Sequence, residues 1–290
     1  MAPGPPLRAR PRRGDPRQAP FGLGRRRRPG AGPVSGLGGR RNLIVDLVRR
    51  QGFVTIEALA THFDVTPQTI RRDINELAAE GRLHRYHGGA GLPSSTENIA
   101  YSSRQVMQQD EKRRIAALVA AHVPDYASLC INIGTTTEEV ARALLGHEGL
   151  SVITNNLNVA SIMAANEGFQ VVVAGGVVRS RDRGIVGEAA IDLIRQFRVD
   201  IAVIGISAID LDGTLLDFDY REVRVAQTII AGAKQVYLAA DHSKIGRRAM
   251  ARLGHLDQVD ALFTDRPLPP SLARVLAGCK TKVQVAAESG

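Results

Sequence analysis

The chain has 290 residues, 44% apolar, 23% charged and 4% aromatic, enough for one large or two small domains with a proper core. Its net charge of +9 is lopsided: residues 1–39 hold nine arginines against one acid, Asp15, so +8 sits there and the remainder is close to neutral. Two cysteines, Cys130 and Cys279, exclude a disulfide framework or cysteine-based zinc cluster, and no apolar run approaches the ~20 residues of a membrane span or makes a secretory signal.

Residues 1–38 are almost all Pro, Gly, Ala and Arg, too poor in apolar bulk to offset the entropy of ordering, and read as a disordered tail. A basic arm attracting phosphates is one reading of it. A dispensable tail, or a start codon assigned too far upstream, is the other and is favoured, because composition alone seldom implies a role.

Residues 39–93 read as a compact helical unit. RNLIVDLVRR puts Leu43, Ile44, Leu47 and Val48 at helical spacing and ends at Gly52. Thr55 is the N-cap of a second short helix, TIEALATHF, and DVT is a tight connection. Thr66 as N-cap and Pro67 at the first helical position open a third helix, which runs through Glu80 and stops at Gly81. RLHRYHGGA alternates and then turns on Gly-Gly, as a hairpin does.

Helix, three-residue turn, Pro-started helix is helix-turn-helix geometry. At ~100° per residue, Ile70, Ile74 and Leu77 fall inward while Gln68, Arg71, Arg72 and Asn75 fall outward. Arg pairs bidentately with guanine, and Gln or Asn with adenine. Thr66 and Thr69 stand at the helix N-terminus, which favours a phosphate. Arg82, His84, Arg85, His87 and Gly88 would set a wing on the duplex backbone or in the minor groove. An Arg-Arg pair alone is a solvated helix face; with the short turn, the Thr-Pro start and the basic wing it indicates DNA. VTPQTIRRDINELAAEGRLHRYHGGA resembles the winged helix-turn-helix signature of the DeoR family of bacterial transcription regulators. That resemblance implies that the helix holding Gln68, Thr69, Arg71 and Arg72 enters the major groove.

Residues 94–109 are polar and turn-rich and read as a linker. Over 110–290 strands alternate with helices: SLCINI, LSVIT, FQVVVA, VDIAVIGI, QVYLAA, ALFTD and TKVQVA, separated by stretches such as TEEVARALL and EAAIDLIRQF. The expectation is an α/β fold, a mostly parallel sheet covered on both faces. In SLCINI-GTTT-EEVARALL, Gly134 lets an anion approach the backbone, and Thr135, Thr136 and Thr137 add hydroxyls beside helix N–H groups. The loop lacks the Gly-Lys-Ser/Thr ending of a P-loop and is not GxGxxG, so neither a nucleotide triphosphate nor a dinucleotide cofactor is expected. Other strand ends supply Asn155 and Asn156, Gly175 and Gly176 with Arg179 and Arg181 behind, and Asp241, His242 and Lys244. Ligands of open α/β sheets bind outside the carboxyl ends of strands, so these groups could gather around a small phosphorylated polyol.

GTTTEEVARALL, SVITNNLNVA, VVVAGGVVRSRDRGIVGEA, IDLDGTLLDFDYREVR and ADHSKIGRRAM extend the DeoR resemblance, in its glycerol-3-phosphate-responsive branch, to residues 40–287. It implies a sensor domain with the ribose-5-phosphate isomerase fold, the effector phosphate on Gly134 to Thr137, and a pocket lined by Asn155, Gly175, Asp241 and Lys244. Asn132-Ile133 stands where many members have Asp-Ser, which loosens the assignment of polyol-hydroxyl contacts there. The implied function is a cytoplasmic repressor of glycerol and glycerol 3-phosphate utilisation genes, released from operator DNA by glycerol 3-phosphate. A two-fold operator implies a homodimer or homotetramer, with no cofactor, metal or membrane partner. A repressor answering another sugar phosphate is the alternative. An isomerase using Asp217, Asp219, Glu222 and Lys244 is a third reading, set aside because fold analogy never establishes activity; no catalytic residue is assigned.

Overall fold

The computed structural model describes residues 37–51, 53–86, 88–92 and 101–287. The tail over 1–36 and the expected wing contact His87 therefore lie outside the described residues.

The N-terminal unit comprises α1 (Leu37–Gln51), β1 (Phe53–Thr55), α2 (Ile56–Phe63), α3 (Pro67–Ala79), β2 (His84–Tyr86) and β3 (Gly89–Gly91). Helix α1 already includes residues 37 and 38, expected in the tail. Its inward face is Ile44, Val45 and Val48, whereas Leu43 is exposed. The Thr55 hydroxyl accepts from the Ala58 N–H at 3.0 Å and so caps α2. Asp64 takes the left-handed conformation at φ 52°, which turns the chain into α3 within three residues. On α3, Ile70, Asp73, Ile74 and Leu77 are buried. Asp73 accepts from Arg40 Nε at 2.6 Å and Arg41 Nε at 3.2 Å, tying α1 to α3.

The expected hairpin is a three-stranded antiparallel sheet of order β1-β3-β2. Strand β1 is only three residues long, too short for a periodic signal. A Cβ on Gly89 would stand 2.4 Å from the Phe53 ring and from the Val54 carbonyl oxygen, so the central strand needs glycine there.

Within the expected linker, the described part is helical rather than turn-rich: α4 (Tyr101–Val106), followed by α5 (Gln109–Ala120). Some of its polar groups bond internally. Tyr101 Oη donates to Glu138 Oε2 at 2.7 Å, and Lys112 Nζ donates to the Arg104 carbonyl and, at 2.6 Å, to that of Met107. Met107 is buried with Phe53 and Tyr86 of the N-terminal unit.

There follow β4 (Ser128–Ile131), α6 (Thr135–Ala143), β5 (Ser151–Thr154), α7 (Leu157–Met163), β6 (Gln170–Val173), β7 (Val177–Val178), β8 (Ile185–Val186), α8 (Glu188–Ile194) and β9 (Val199–Ile204). Then come β10 (Ala208–Ile209), β11 (Thr214–Asp217), α9 (Tyr220–Ala231), β12 (Ala233–Ala239), β13 (Ala251–His255), β14 (Ala261–Thr264), α10 (Pro270–Leu276) and β15 (Lys282–Val285). All seven expected strands enter one sheet of order β15-β14-β12-β9-β4-β5-β6, parallel throughout. Alternation divides its core: Ile201 and Val203 of β9 pack with α5, α6 and α7, and Ala202 and Ile204 with α8, α9 and α10. The short antiparallel sheet β10-β11-β13 and the β7–β8 pair were not expected. Among the described residues no helix is long and apolar enough to cross a membrane.

From β4 the chain moves outward through β5 to β6, then returns to β9 on the other side of β4 and moves outward to β15. The order therefore reverses between β4 and β9, and the crevice outside their carboxyl ends is the place such sheets offer a ligand.

Replacing Asp73 by Ala leaves two arginines without their shared acid and should cost about 1.5–3 kcal/mol, the worth of hydrogen bonds to a charged group. Urea unfolding measures it, and an unchanged midpoint would show that the α1–α3 clamp adds nothing.

Candidate functional site

Two surfaces carry the candidate residues. On α3, Gln68, Arg71, Arg72 and Asn75 are exposed, and Thr69 is half-buried. Arg72 Nε donates to Glu76 Oε1 at 3.2 Å, one turn along the helix, but the arginine is 79% exposed. Such a pair is weak and yields readily to a stronger anion. The Thr66 oxygen accepts from the Thr69 N–H at 3.3 Å and lies 2.9 Å from the Thr69 hydroxyl, so Thr66 acts as a cap. Arg85 and Gly88 are exposed on the wing, whose turn uses Gly88 at φ +87°. Arg82 Nη2 donates to Asn42 Oδ1 at 2.6 Å, tying the end of α3 back to α1.

The second surface is the crevice where the strand order reverses. Asn132 Oδ1 accepts from the Gly205 N–H at 2.8 Å and its Nδ2 donates to the Gly205 carbonyl, pinning the loops after β4 and β9 together. The departure at Asn132 thus has a local structural role. Gly134 starts α6, and Thr135 and Thr136 form its first turn, where backbone N–H groups have no intrahelical acceptor. Thr137 is corrected. It is fully buried and its hydroxyl donates to the Asn132 and Gly134 carbonyl oxygens, each at 2.9 Å, rather than facing the crevice.

At the carboxyl end of β12, two strands from this loop, lies a small cleft. Four cations line it, Arg104, Lys112, Lys244 and Arg247, with one acid, Asp241, and with Gln108, Ser243, Met107 and Tyr86. Asp241 is fully buried. Its Oδ1 accepts from the Ser243 N–H at 3.0 Å, while its Oδ2 has no hydrogen-bond partner among the described residues. Burial pushes the Asp241 carboxyl up, but Lys244, the Ser243 hydroxyl and Lys112 outweigh it and hold the group below its ordinary value. Burial pushes the Lys244 ammonium down to about 7 against the pull of Asp241, with Arg247, Lys112 and Arg104 lowering it further. Lys112 is pushed down to about 8, again chiefly by burial. Crowded cations around one acid make an anion-binding environment, and the lone Oδ2 can accept from a hydroxyl.

Of the expected pocket residues, the structure brings Asp241 and Lys244 into this cleft, with Gly134, Thr135 and Thr136 two strands away. Asn155 Nδ2 donates to the Ile185 carbonyl at 2.9 Å, and its buried Oδ1 has no partner among the described residues. Gly175 and Gly176 are exposed after edge strand β6, four strands from β12. At ~4.8 Å per strand that is about 19 Å, more than a small phosphate ester spans. Arg179 is likewise engaged elsewhere: it grips Asp182 through Nε at 3.2 Å and Nη2 at 2.7 Å, and its Nη1 reaches Asp219 at 3.0 Å and Glu222. This knot fastens the β7–β8 connection to α9. It also engages two acids of the isomerase reading, and Asp219 caps α9 besides. Burial and neighbouring Asp217 push Glu222 up to about 7, despite Arg179.

Sequence reading missed Arg104, Gln108, Lys112 and Arg247. The first two lie in the stretch taken as linker, and Lys112 in a helix with no motif. Arg247 follows DHSK closely enough for the RR pair to have been a signal.

Residues 40–96 match the DeoR-like helix-turn-helix domain, and residues 107–266 match the DeoR C terminal sensor domain. The glycerol-3-phosphate regulon repressor of Escherichia coli (strain K12) is 52% identical over 237 residues, covering 82% of this chain and 94% of that protein. The glycerol-3-phosphate regulon repressor of Haemophilus influenzae is 49% identical over 244 residues, covering 84% and 95%. Among solved structures, ribose 5 phosphate isomerase A from Neisseria gonorrhoeae overlaps 51% of this chain and 56% of its own, at 15% identity and a TM-score of 0.36. With a reading head and a sensor domain both matched, and with about half of the residues shared along most of two relatives, the chain belongs to the DeoR family of transcription regulators.

Proposed function

We propose that the protein is a cytoplasmic, sequence-specific repressor of glycerol and glycerol 3-phosphate utilisation genes, released from operator DNA when glycerol 3-phosphate binds beside the β4–β9 crevice. One observation carries the effector chemistry: four cations surround a buried carboxylate that keeps an oxygen without a partner among the described residues. Cations suit a phosphate dianion and the carboxylate suits a hydroxyl, so the cleft matches a phosphorylated polyol. The names of the two relatives at 52% and 49% identity supply the particular polyol.

In this reading Gln68, Arg71, Arg72 and Asn75 read base edges, and Thr69, Arg85 and Gly88 approach the duplex backbone. Lys244, Lys112 and the first-turn N–H groups of Thr135 and Thr136 hold the phosphate, while Asp241 takes a hydroxyl. The protein acts as a homodimer or homotetramer on a two-fold operator and carries out no reaction. Release requires that the effector bind more tightly to the DNA-incompetent arrangement than to the competent one.

At fixed salt, Arg72→Ala should weaken operator binding by about 1–3 kcal/mol while leaving random duplex nearly unchanged in fluorescence anisotropy. Equal loss on both would assign Arg72 to a phosphate.

Lys244→Gln should bind operator as the natural protein does yet no longer release it with glycerol 3-phosphate. Release at the natural concentration would place the phosphate elsewhere.

Binding of the dianion favours protonated Lys244, so the complex takes up a proton as pH rises past about 7, and affinity falls above that value. Below about 6 the phosphate monoester itself gains a proton and loses charge. Calorimetric titration from pH 5 to 9 should therefore give the tightest binding between about 6 and 7. Affinity that climbs steadily to pH 9 would remove Lys244 from the contact.

A further inference from the structure

The wing strand forms part of the cleft wall. Tyr86 of β2 is buried beside Arg247, whose guanidinium carbon lies 5.8 Å from the Tyr86 ring centroid and 4.9 Å from that of Phe218. The same arginine donates through Nη1 to the Ser207 carbonyl, just beyond β9 in the loop pinned by Asn132. It lines the cleft with Lys244, and the charges of Arg104 and Lys244 stand close enough to oppose its own. One cation therefore touches an aromatic ring of the DNA-reading unit and an anion-binding space of the sensor. Around Tyr86, Phe53 of the same unit packs edge-on at 5.9 Å, and Met107 joins the pair from the sensor side in a cluster separate from the helix-turn-helix core.

We infer that Arg247 couples the two units: it holds the wing through the ring and hydroxyl of Tyr86, and an anion in the cleft draws it away, so ligand binding and wing contact compete for one guanidinium. This rests on the proposed effector reading and adds the residue pair through which the signal leaves the pocket. A guanidinium over a tyrosine ring is worth a factor of roughly 2–30 in an equilibrium constant, strong enough to bias the wing and weak enough for a phosphate to overcome. Arg247 is thus a positioning residue for the wing, in addition to contacting the anion.

The test uses the full chain, with glycerol 3-phosphate and, separately, inorganic phosphate as probes. Calorimetry gives anion affinity, and anisotropy gives operator affinity with and without anion. Tyr86→Leu removes the competing ring, so both anions should bind about 2- to 10-fold more tightly, while operator affinity should change less than twofold on saturation. Tyr86→Phe keeps the ring but loses the hydroxyl that bonds to Arg247, so its anion affinity should rise less than that of Tyr86→Leu. Circular dichroism checks folding; if Tyr86→Leu does not fold, Arg247→Gln carries the test, with at least about tenfold weaker anion binding and no operator response. Natural anion affinity together with a natural operator response in Tyr86→Leu, or in Arg247→Gln, overturns the coupling. If the natural protein binds inorganic phosphate but not glycerol 3-phosphate, the effector assignment falls and the coupling is judged on phosphate alone. If it binds neither, both fall together.

Discussion

A carboxylate without solvent must have cations beside it, and Asp241 makes that demand at the centre of the sensor domain. Lys244 answers from the same loop and Lys112 from α5. Because Lys112 also donates to the carbonyls of Arg104 and Met107, meeting the charge of Asp241 fixes the corner between α4 and α5. That corner presents Met107 to Phe53 and Tyr86. The electrostatic requirement of one buried group thus runs, through three contacts, to the position of the wing.

The two units differ in how they are held. The reading unit has its own core of Ile44, Val48, Leu59, Ile70, Ile74 and Leu77, with Asp73 clamping two helices. The sensor has a sheet covered on both faces. Between them the contact near Tyr86 is a few side chains and one cation over a ring. A contact made by a few side chains responds to an energy change the size of one ligand contact, without either core melting.

The parallel sheet was legible because strands buried on both faces are continuous apolar runs, and all seven stand out between helices. Helices α2 and α3 were legible from their caps, Thr55 and Thr66, and the outward face of α3 from its period. Strands of two to five residues, such as β1, β10 and β11, leave no period to read. The helix α4 inside the expected linker was not legible because polarity does not distinguish chain that faces water from chain whose polar groups bond internally, as Tyr101 does. In the candidate site, the strand-end rule pointed to Asp241, Lys244 and the Gly134 loop, and the structure sets the first two along one cleft. It failed at Thr137 and Arg179, where sequence does not say which way a side chain turns. Gly175 and Gly176 lie four strands from β12, a separation set by a strand order that is not written in local pattern.

Because Arg104, Met107 and Gln108 belong to the cleft, the sensor's binding surface begins well before the strand that opens its sheet. The seam between exchangeable parts therefore falls ahead of Tyr101. A sensor transplanted onto a different reading head from Asp110 onward would carry a complete sheet and half a pocket; one taken from Tyr101 would carry the whole wall except the ring contributed by the wing. If the cleft is the effector site, modularity here is incomplete by one aromatic side chain, and a new head would have to supply its equivalent.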